Sequence, residues 1–332
     1  MSGSTVKGLP GVAVVAIGRN EGERLRACLM SVVPLAACVV YVDSGSTDDS
    51  VAMARGMGVD VLQLDPHVTF TAALARNAGW RRVCELTPEV EYIQFVDGDC
   101  AVVESWMPQA HAFLQAHPDV VAVCGRRRER HPERSVYNLL CDLEWASPIG
   151  EAKACGGDVM MRAAPLESVG GYRDSLIAGE EPELCVRLRA KGWRVWRLDA
   201  EMTLHDAAMT RIGQWWKRSM RAGFTFAEGA HLHGAPPERH RVRESRRAWV
   251  WGLCIPLAVF AGALLWNAWI LVALLVYPLQ MLRLFLASEG PTRARAWRAV
   301  FMVLGKFAEA FGQLKYLALR LSGGTARLIE YK

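Results

Sequence analysis

Two aspartates separated by a single glycine, Asp97 and Asp99, are the residues of this chain whose types and spacing point most directly to chemistry. They follow residues 92–96, a mostly apolar run with the composition of a buried strand. Gly98 permits a sharp turn, so both carboxylates can point into one cleft. Because ligands bind beyond the carboxyl ends of the strands in an open α/β sheet, the pair suits a divalent cation bound to phosphate. The alternative is a turn in which the aspartates only accept local N–H groups.

The loops after the first two predicted strands restrict the kind of ligand. Residues 18–22 contain no Gly-x-Gly-x-x-Gly pattern, which removes the main support for a dinucleotide-dependent dehydrogenase. Asp43 stands at the end of the second strand and is followed by small polar residues that let a ligand approach closely. Its carboxylate can accept a hydrogen bond from the imide N–H of uracil or the amide N–H of guanine.

Short apolar runs alternate with amphipathic stretches along the first two thirds of the chain, which is typical of strand–helix units. The pattern predicts strands at residues 12–17, 38–42, 59–64, 92–97, 120–124 and 194–198. It predicts helices at residues 21–33, 48–57, 72–86, 105–116 and 182–191. Residues 129–151 are less regular. We therefore expect an α/β fold, a mostly parallel sheet flanked by helices, with functional side chains at the carboxyl ends of its strands.

Composition and charge exclude several classes of protein. With 332 residues and 52% hydrophobic content, the chain has the material for a packed core. Its nine cysteines include no Cys-x-x-Cys, so neither a disulfide framework nor a zinc site is expected. The net charge of +5 is not accompanied by zinc-finger spacing or an aromatic-interleaved basic surface, so we expect no nucleic-acid partner. Residues 1–11 lack the apolar core of a secretory signal, so the polar part of the chain should stay cytoplasmic.

The C-terminal third has the pattern of a membrane anchor. No charged residue occurs between Arg247 and Arg283, and a polar break at residues 266–269 divides this run into two halves. Each half is near the lower limit of about 17 residues for a membrane crossing. We therefore predict a transmembrane helical hairpin at residues 248–287, with flanking arginines that keep both ends on the cytoplasmic side of the inner (plasma) membrane. The alternative is a buried helical pair in a soluble protein.

The segments on either side of the predicted hairpin are expected to lie at the membrane surface. Residues 231–247 form a basic juxtamembrane linker with arginines at positions 239, 241, 243, 246 and 247. Residues 288–332 carry apolar side chains at helical spacing and predict an interfacial amphipathic helix and a tail. A third crossing over residues 296–321 is the weaker alternative, because charges at positions 306, 309 and 315 would fall at its centre.

Five motifs, taken in order, resemble the inverting glycosyltransferases of family 2, which have a GT-A type (Rossmann-like) fold around a nucleotide-sugar site. They are Arg19-Asn20-Glu21 and the motifs at residues 42–48, 75–79, 96–99 and 179–188. Their order and spacing are far more specific than any single motif. The resemblance covers residues 12 to about 205 and implies a catalytic domain within residues 1–230.

The resemblance also implies a role for each matching residue. The residues implied to bind the nucleotide or the donor sugar are Asn20, Glu21, Asp43, Arg76, Asp97 and Asp158. Asp97, Asp99 and His205 are implied to hold Mg²⁺ or Mn²⁺, which would neutralise the charge that develops on the departing diphosphate. His205 as a purely structural histidine is an equal alternative, and for Asp158 in Gly156-Gly157-Asp158 a simple turn is an equal explanation.

An acceptor hydroxyl must lose a proton as it attacks, and a carboxylate within hydrogen-bond reach is the usual base. Glu181 matches the acidic residue that follows Gly-Glu in this family, where Asp is common, and the longer Glu side chain leaves Glu180 as an alternative base. Both acids also favour the N-terminus of the predicted helix through its dipole, which would be a structural role.

The sequence therefore predicts a membrane-anchored glycosyltransferase that moves a sugar from a nucleotide-sugar donor to a lipid-linked or membrane-proximal acceptor in cell-envelope or exopolysaccharide synthesis. Two other functions are weaker alternatives. One is a catalytically inactive nucleotide-sugar-binding subunit of a membrane polysaccharide assembly, and the other is a nucleotidyltransferase, for which residues 18–22 lack a Gly-rich, basic phosphate loop. Arg126, Arg127 and Arg128 are interpreted as a solvated charge run or as contacts to an anionic acceptor.

Overall fold

The computed structural model describes residues 8–65, 67 and 70–324, and these fall into two compact units. Of the described residues, unit 1 contains those up to His131 and those from Cys141 to Ala207. Unit 2 contains Pro132–Leu140 and the residues from Ala208 onward. The two compact units divide at residue 207, whereas the catalytic domain was predicted to extend to residue 230. That predicted boundary stays a prediction.

Nine strands in the described part of unit 1 form one mixed sheet. They are β1 (Val12–Gly18), β2 (Cys38–Asp43), β3 (Asp60–Gln63), β4 (Tyr92–Asp97), β5 (Cys100–Val102), β6 (Val120–Glu129), β7 (Gly150–Ala152), β8 (Val159–Arg162) and β9 (Arg194–His205). Their order is β3-β2-β1-β4-β8-β6-β9-β5, and β7 pairs with β9. Strands β1 to β4 pair in parallel, as do β6 and β9, whereas β5, β7 and β8 run antiparallel to their neighbours.

Helices cover both faces of this sheet, which confirms the predicted α/β class. They are α1 (Glu23–Val32), α2 (Ser50–Gly56), α3 (Ala72–Leu86), α4 (Trp106–Ala116), the last residues of α5 (Val136–Glu144), α6 (Ala163–Ser168) and α7 (Glu180–Ala190). Alternate residues of β1 enter two separate apolar clusters. Val12 and Val14 pack with side chains of α1 and α4, while Ala13 and Val15 pack with side chains of α3 and α7. A strand buried on both faces has this continuous apolar composition.

Strands β6 and β9 are longer than the sequence pattern predicts, ending at Glu129 and His205 rather than at residues 124 and 198. The additional part of β6 is Gly-Arg-Arg-Arg-Glu, which has no apolar alternation. It stays in the sheet because β6 and β9 remain paired as far as Glu129 and His205, and because its arginines form ion pairs, such as Arg128 with Asp142 at 3.0 Å. The short strands β5, β7 and β8 and the helices α5 and α6 were also not predicted, whereas α3 has its predicted bounds.

Unit 2 consists of helices in its described part. They are α8 (Ile212–His233), α9 (Val242–Trp249), α10 (Ile255–Leu265), α11 (Val276–Ala287) and α12 (Thr292–Leu321). A π-helical turn at Val250–Cys254 joins α9 to α10, and a 3₁₀ segment at Ala268–Leu275 leads into α11.

The predicted hairpin at residues 248–287 corresponds to two helical segments, Val242–Leu265 and Ala268–Ala287, that are long and apolar enough to cross a membrane. They reverse direction at Asn267, whose side-chain oxygen accepts a hydrogen bond from the Trp269 amide at 2.9 Å. Large apolar side chains on this hairpin are exposed, including Leu264 at 86% and Trp266 at 78%. The described residues therefore do not fit the alternative of a helical pair buried in a soluble core.

Helix α12, predicted as an interfacial helix at residues 296–321, packs along α8 inside unit 2. A Cβ atom on Gly223 would overlap the backbone of Glu309, and one on Gly312 would overlap the carbonyl of Met220, so the two helix backbones lie in direct contact. Lys306 pairs with Glu309 at 2.5 Å on this helix. Two of the charges that disfavour a third membrane crossing therefore neutralise each other. The predicted location of α12 in the plane of a membrane stays a prediction.

Replacing Gly223 by alanine is expected to destabilise the protein by about 1–3 kcal/mol, because the added methyl group forces α8 and α12 apart. The measurement is the midpoint of thermal unfolding of the purified full-length chain in detergent. Gly213→Ala is the matched control in the first turn of the same helix, where an added Cβ meets nothing within 4 Å and alanine favours the helix by up to about 1 kcal/mol. Equal midpoints for the two variants would contradict the close packing of α8 against α12.

Candidate active site

The carboxyl ends of β1, β2 and β4 lie side by side in the sheet. Gly18 pairs with Asp43, and Ile17 pairs with Asp97, so the two aspartates flank the end of β1. The Gly98 amide donates to the Ile17 carbonyl at 2.7 Å, and a Cβ on Gly98 would lie 3.1 Å from that same oxygen. A larger residue at position 98 would therefore have to displace the Ile17 carbonyl by a few tenths of an ångström, whereas glycine fits the close turn between Asp97 and Asp99.

Asn20 and Glu21 lie in the loop that follows β1. Asn20 has a positive φ of 56°, its amide donates to Ser46 Oγ at 2.8 Å, and its side-chain oxygen accepts from the Thr47 amide at 2.7 Å. This loop is thereby joined to the loop after β2. Glu21 pairs with Arg24 at 2.8 Å.

Asp43 is fully buried at the end of β2. One carboxylate oxygen accepts from the Tyr41 hydroxyl at 3.0 Å, and the other accepts from the amides of Gly45 and Ser46 at 3.1 and 2.9 Å. These bonds fix the turn at the edge of the candidate site, so Asp43 has a local structural role. Its predicted contact with a nucleobase stays a prediction.

Arg76 is a buried cation between two carboxylates. It projects from α3, is 2% exposed, and binds Asp97 Oδ1 through Nη2 at 2.6 Å and Glu180 Oε1 through Nη1 at 2.5 Å. Burial alone would lower the pKa of this guanidinium, but the charges of Asp97 and Glu180 outweigh that effect and raise it. Arg76 therefore joins the end of β4 to the first turn of α7.

Replacing Arg76 by methionine is expected to destabilise the protein by about 3 kcal/mol, because Glu180 would be left in a buried site without its partner. Arg82→Met is the matched control on the same helix, since Arg82 binds both oxygens of Asp60 at 3.0 Å but is 37% exposed. An exposed pair of this kind contributes about 1 kcal/mol or less. Chemical unfolding curves of the two variants check this difference, and equal losses would contradict the burial of the Arg76 pairs.

Asp158 lies fully buried beside Asp97. Its Oδ1 accepts from the Asp97 amide at 3.0 Å, and its Oδ2 accepts from Thr203 Oγ1 at 2.7 Å. Arg127 Nη2 lies 2.8 Å from Asp158 Oδ2 and 3.3 Å from Asp97 Oδ2. The middle arginine of the predicted charge run is therefore largely buried, with 17% of its side chain exposed. It neutralises two carboxylates at the centre of the candidate site.

Asp99 and His205 face each other across two paired strands. Because β5 and β9 are antiparallel, with Cys100 opposite His205, the preceding residue Asp99 comes within reach of the histidine ring. Asp99 Oδ2 lies 3.2 Å from His205 Nε2, and the two residues are 6% and 7% exposed. A carboxylate oxygen and an imidazole nitrogen at this separation are suitable ligands for one divalent cation of the first transition row. The side chains of Asp99, Cys100 and His205 form one of the groups of potential metal ligands in the described residues.

The two candidate bases begin α7 and differ in their surroundings. Glu181 is 1% exposed, and its oxygens accept from the amides of Cys155 and Gly156 at 2.7 and 2.8 Å and from Cys185 Sγ at 2.9 Å. Burial raises the pKa of the Glu181 carboxyl, and these hydrogen bonds oppose the rise. Glu180 instead binds Arg76. The assignment of the base to either glutamate stays a prediction.

The residue pairs described above belong to one region of unit 1. A Cβ atom on Gly157, next to the loop that binds Glu181, would lie 2.5 Å from Arg76 Nη2 and 3.0 Å from Asp97 Oδ2. Cys100 lies with Asp99 and His205 in one group of side chains within 4.8 Å, and with Asp97 and Asp158 in another. The structure therefore brings together seven of the predicted site residues. They are Arg76, Asp97, Asp99, Asp158, Glu180, Glu181 and His205.

Sequence reasoning missed two side chains that shape this site. In the sequence, Arg127 was noted only as part of a run of three arginines. Its pairing with Asp158 depends on the extension of β6 beyond residue 124. Trp145 lies in residues 129–151, which showed no regular pattern, yet its ring packs edge-on against His205 at 4.9 Å and lies 5.5 Å from the Arg127 guanidinium. No motif in the sequence indicated Trp145.

The mixed sheet with acidic side chains at its strand ends defines a GT-A type fold. The structure is similar to the mannosyltransferase PcManGT from Pyrobaculum calidifontis in complex with GDP-Man and Mn²⁺, with a TM-score of 0.59 and 19% identity over 93% of this chain and 88% of that one. Residues 13–151 match the family model described as glycosyl transferase family 2, and the chain carries a domain of that family. The family predicted from the motifs is thereby confirmed.

A relative in sequence is the succinoglycan biosynthesis protein ExoA of Rhizobium meliloti (strain 1021). It is 25% identical over 214 residues, which cover 60% of this chain. The chain spans less than two thirds of that relative, 64% of its length.

Proposed function

We propose that this protein is a metal-dependent, inverting glycosyltransferase that moves a sugar from a nucleotide-diphosphate sugar to an acceptor at a membrane. The observation that carries the proposal is the convergence of Asp97, Asp99, Glu181 and His205, which come from three separate segments of the chain, on one region of unit 1. The family match over residues 13–151 supports the same reaction class.

Asp99 and His205 would hold the divalent cation, with Asp97 beside them. The bound cation, Mn²⁺ or Mg²⁺, supplies positive charge to the diphosphate leaving group. Arg76 keeps Asp97 and Glu180 in fixed orientations through its two short ion pairs. Arg127 supplies a second fixed positive charge next to Asp97 and Asp158.

Glu181 is the proposed proton acceptor, with Glu180 as the alternative. Burial raises the pKa of Glu181, which makes it a stronger base than an exposed glutamate. Glu181 Oε2 accepts from the Gly156 amide at 2.8 Å, and a carboxylate oxygen can accept a second hydrogen bond, so the same oxygen would accept from the acceptor hydroxyl.

We propose a lipid-linked or membrane-proximal acceptor because the chain carries two exposed apolar helices, Val242–Leu265 and Ala268–Ala287. Arginines cluster at the outer end of each segment, at positions 239–247 and 283–298, and by the positive-inside rule they support hairpin ends on the cytoplasmic side of the plasma membrane. The succinoglycan biosynthesis relative supports a role in exopolysaccharide or envelope polysaccharide synthesis.

The test incubates the purified full-length protein in detergent with UDP-, GDP-, ADP- and dTDP-sugars, Mn²⁺ and a membrane lipid extract, and measures release of the nucleoside diphosphate. We expect release from one donor class and its loss on chelation of the metal. A donor that raises the thermal stability without release on any acceptor would indicate an inactive binding subunit. Formation of a nucleotide sugar from a sugar phosphate and a nucleoside triphosphate would indicate a nucleotidyltransferase.

A further inference from the structure

Glu129 is a buried carboxylate next to the proposed metal-binding histidine. It is the last residue of β6, is 3% exposed, and pairs with His205 in the register of β6 against β9. Cys100 pairs with His205 on the other side of β9. Glu129 and the residue that follows Asp99 therefore lie on opposite sides of the same histidine in one row of the sheet.

The Glu129 carboxylate is held in a fixed position by two backbone groups. Its Oε1 accepts from the His131 amide at 3.1 Å, and its Oε2 accepts from the Ala207 amide at 3.0 Å. A carboxylate oxygen can accept more than one hydrogen bond, so the bond from Ala207 does not by itself prevent Oε2 from accepting from a second donor.

His205 places one of its ring nitrogens near that oxygen. Its Nε2 faces Asp99 at 3.2 Å, while its Nδ1 lies 3.8 Å from Glu129 Oε2. Nδ1 is buried and has no hydrogen-bond partner among the described residues. Trp145 packs edge-on against the ring and restricts its rotation. A buried polar nitrogen without a partner costs free energy, and in the tautomer that carries the proton on Nδ1 a small shift of the ring toward Glu129 would satisfy it.

We propose that Glu129 is a positioning residue for the metal site. It accepts a hydrogen bond from His205 Nδ1–H and thereby keeps Nε2 unprotonated and directed at the cation shared with Asp99. This inference rests on the proposed function, because it requires a divalent cation at Asp99 and His205. In metal sites, a histidine ligand commonly donates its second ring N–H to a carboxylate, and loss of that partner weakens metal affinity about 10–100-fold.

The first test measures the affinity of the full-length protein for Mn²⁺ alone, from the signal of free Mn²⁺ in electron paramagnetic resonance. We expect Glu129→Gln to weaken binding about 10–100-fold and Glu129→Asp, which keeps the charge, to weaken it less. Asp142→Asn is the matched control, because Asp142 is a buried carboxylate that accepts from the Glu129 amide at 3.0 Å but is bound to Arg128 rather than to His205. Equal weakening in Asp142→Asn and Glu129→Gln would overturn the inference.

The second test does not depend on the folding of any Glu129 variant. The measurement is the proton NMR spectrum of the wild-type protein with ¹⁵N-labelled histidine and Mg²⁺. We expect a downfield signal from an Nδ1–H proton, which is assigned to His205 by its loss in His205→Gln. An Mg²⁺-bound His205 protonated on Nε2, or without a hydrogen-bonded Nδ1–H, would overturn the inference. Failure of the proposed function has a different signature, because Mn²⁺ binding would then be absent from the wild type or unchanged in Asp99→Asn and His205→Gln.

Discussion

Replacing Asp99 by asparagine is expected to lower the rate of nucleoside diphosphate release about a thousandfold, which corresponds to about 4 kcal/mol of transition-state stabilisation. The substitution keeps the size of the side chain and removes the charge that faces His205 Nε2 at 3.2 Å. A neutral amide is a much weaker ligand for a hard divalent cation than a carboxylate. The measurement is the initial rate at saturating Mn²⁺, together with the Mn²⁺ concentration at half-maximal rate.

Asp119→Asn is the control for the Asp99 variant. Asp119 pairs with Arg194 at 2.8 Å, and both side chains are well exposed, so its replacement should leave the rate within about twofold of the wild type. A normal rate in Asp99→Asn would remove Asp99 from the proposed metal site. A thousandfold loss in both variants would indicate that the loss does not come from the metal site.

Replacing Glu181 by glutamine is expected to lower the turnover rate about 10²–10⁴-fold, the usual contribution of a general base. In the wild type, the base must be deprotonated, so activity should rise with pH through the pKa of Glu181. Since burial raises the pKa of Glu181, this rise should lie above about pH 4.3, the ordinary value for glutamate. The pH profile of kcat/KM checks this, and the rise should be absent from the residual activity of Glu181→Gln.

Glu180→Gln separates the two candidate bases. Glu180 binds Arg76 at 2.5 Å, and an amide oxygen can still accept from that guanidinium. If Glu181 is the base, Glu180→Gln should retain the acid limb of the pH profile and lose less activity than Glu181→Gln. The reverse pattern would assign the base to Glu180 and leave Glu181 as the residue that holds the loop at residues 155–156 through its two amide bonds.

The parts of the fold that could be predicted from the sequence are those in which one short-range rule decides the structure. Helix α3 has its predicted bounds because Thr71 caps it through the Leu74 amide and its buried face follows helical spacing. Strands β1 and β4 carry continuous apolar runs, and Asp97 and Asp99 stand at a glycine turn directly after β4. For these residues, the structure that the local sequence favours is the structure that the folded protein has.

The remainder of the site depends on pairings between residues far apart in the sequence. Strand β5 is three residues long and has no pattern of its own, yet its register against β9 is what brings Asp99 to His205. The polar part of β6 remains a strand because it pairs with β9 and because Arg127 finds Asp158. Local sequence patterns do not indicate which distant strands pair with each other. Arg127 was therefore interpreted only as a member of a charge run.

The place of β9 in the sheet has a practical consequence for any shortened version of this protein. Strand β9 lies between β6 and β5 and also pairs with β7, although it comes last in the chain of unit 1. A fragment ending at residue 151 would match the family model and still lack His205, Glu181 and the strand that covers the β6 edge. Such a fragment would present open hydrogen-bonding edges to other molecules and should aggregate.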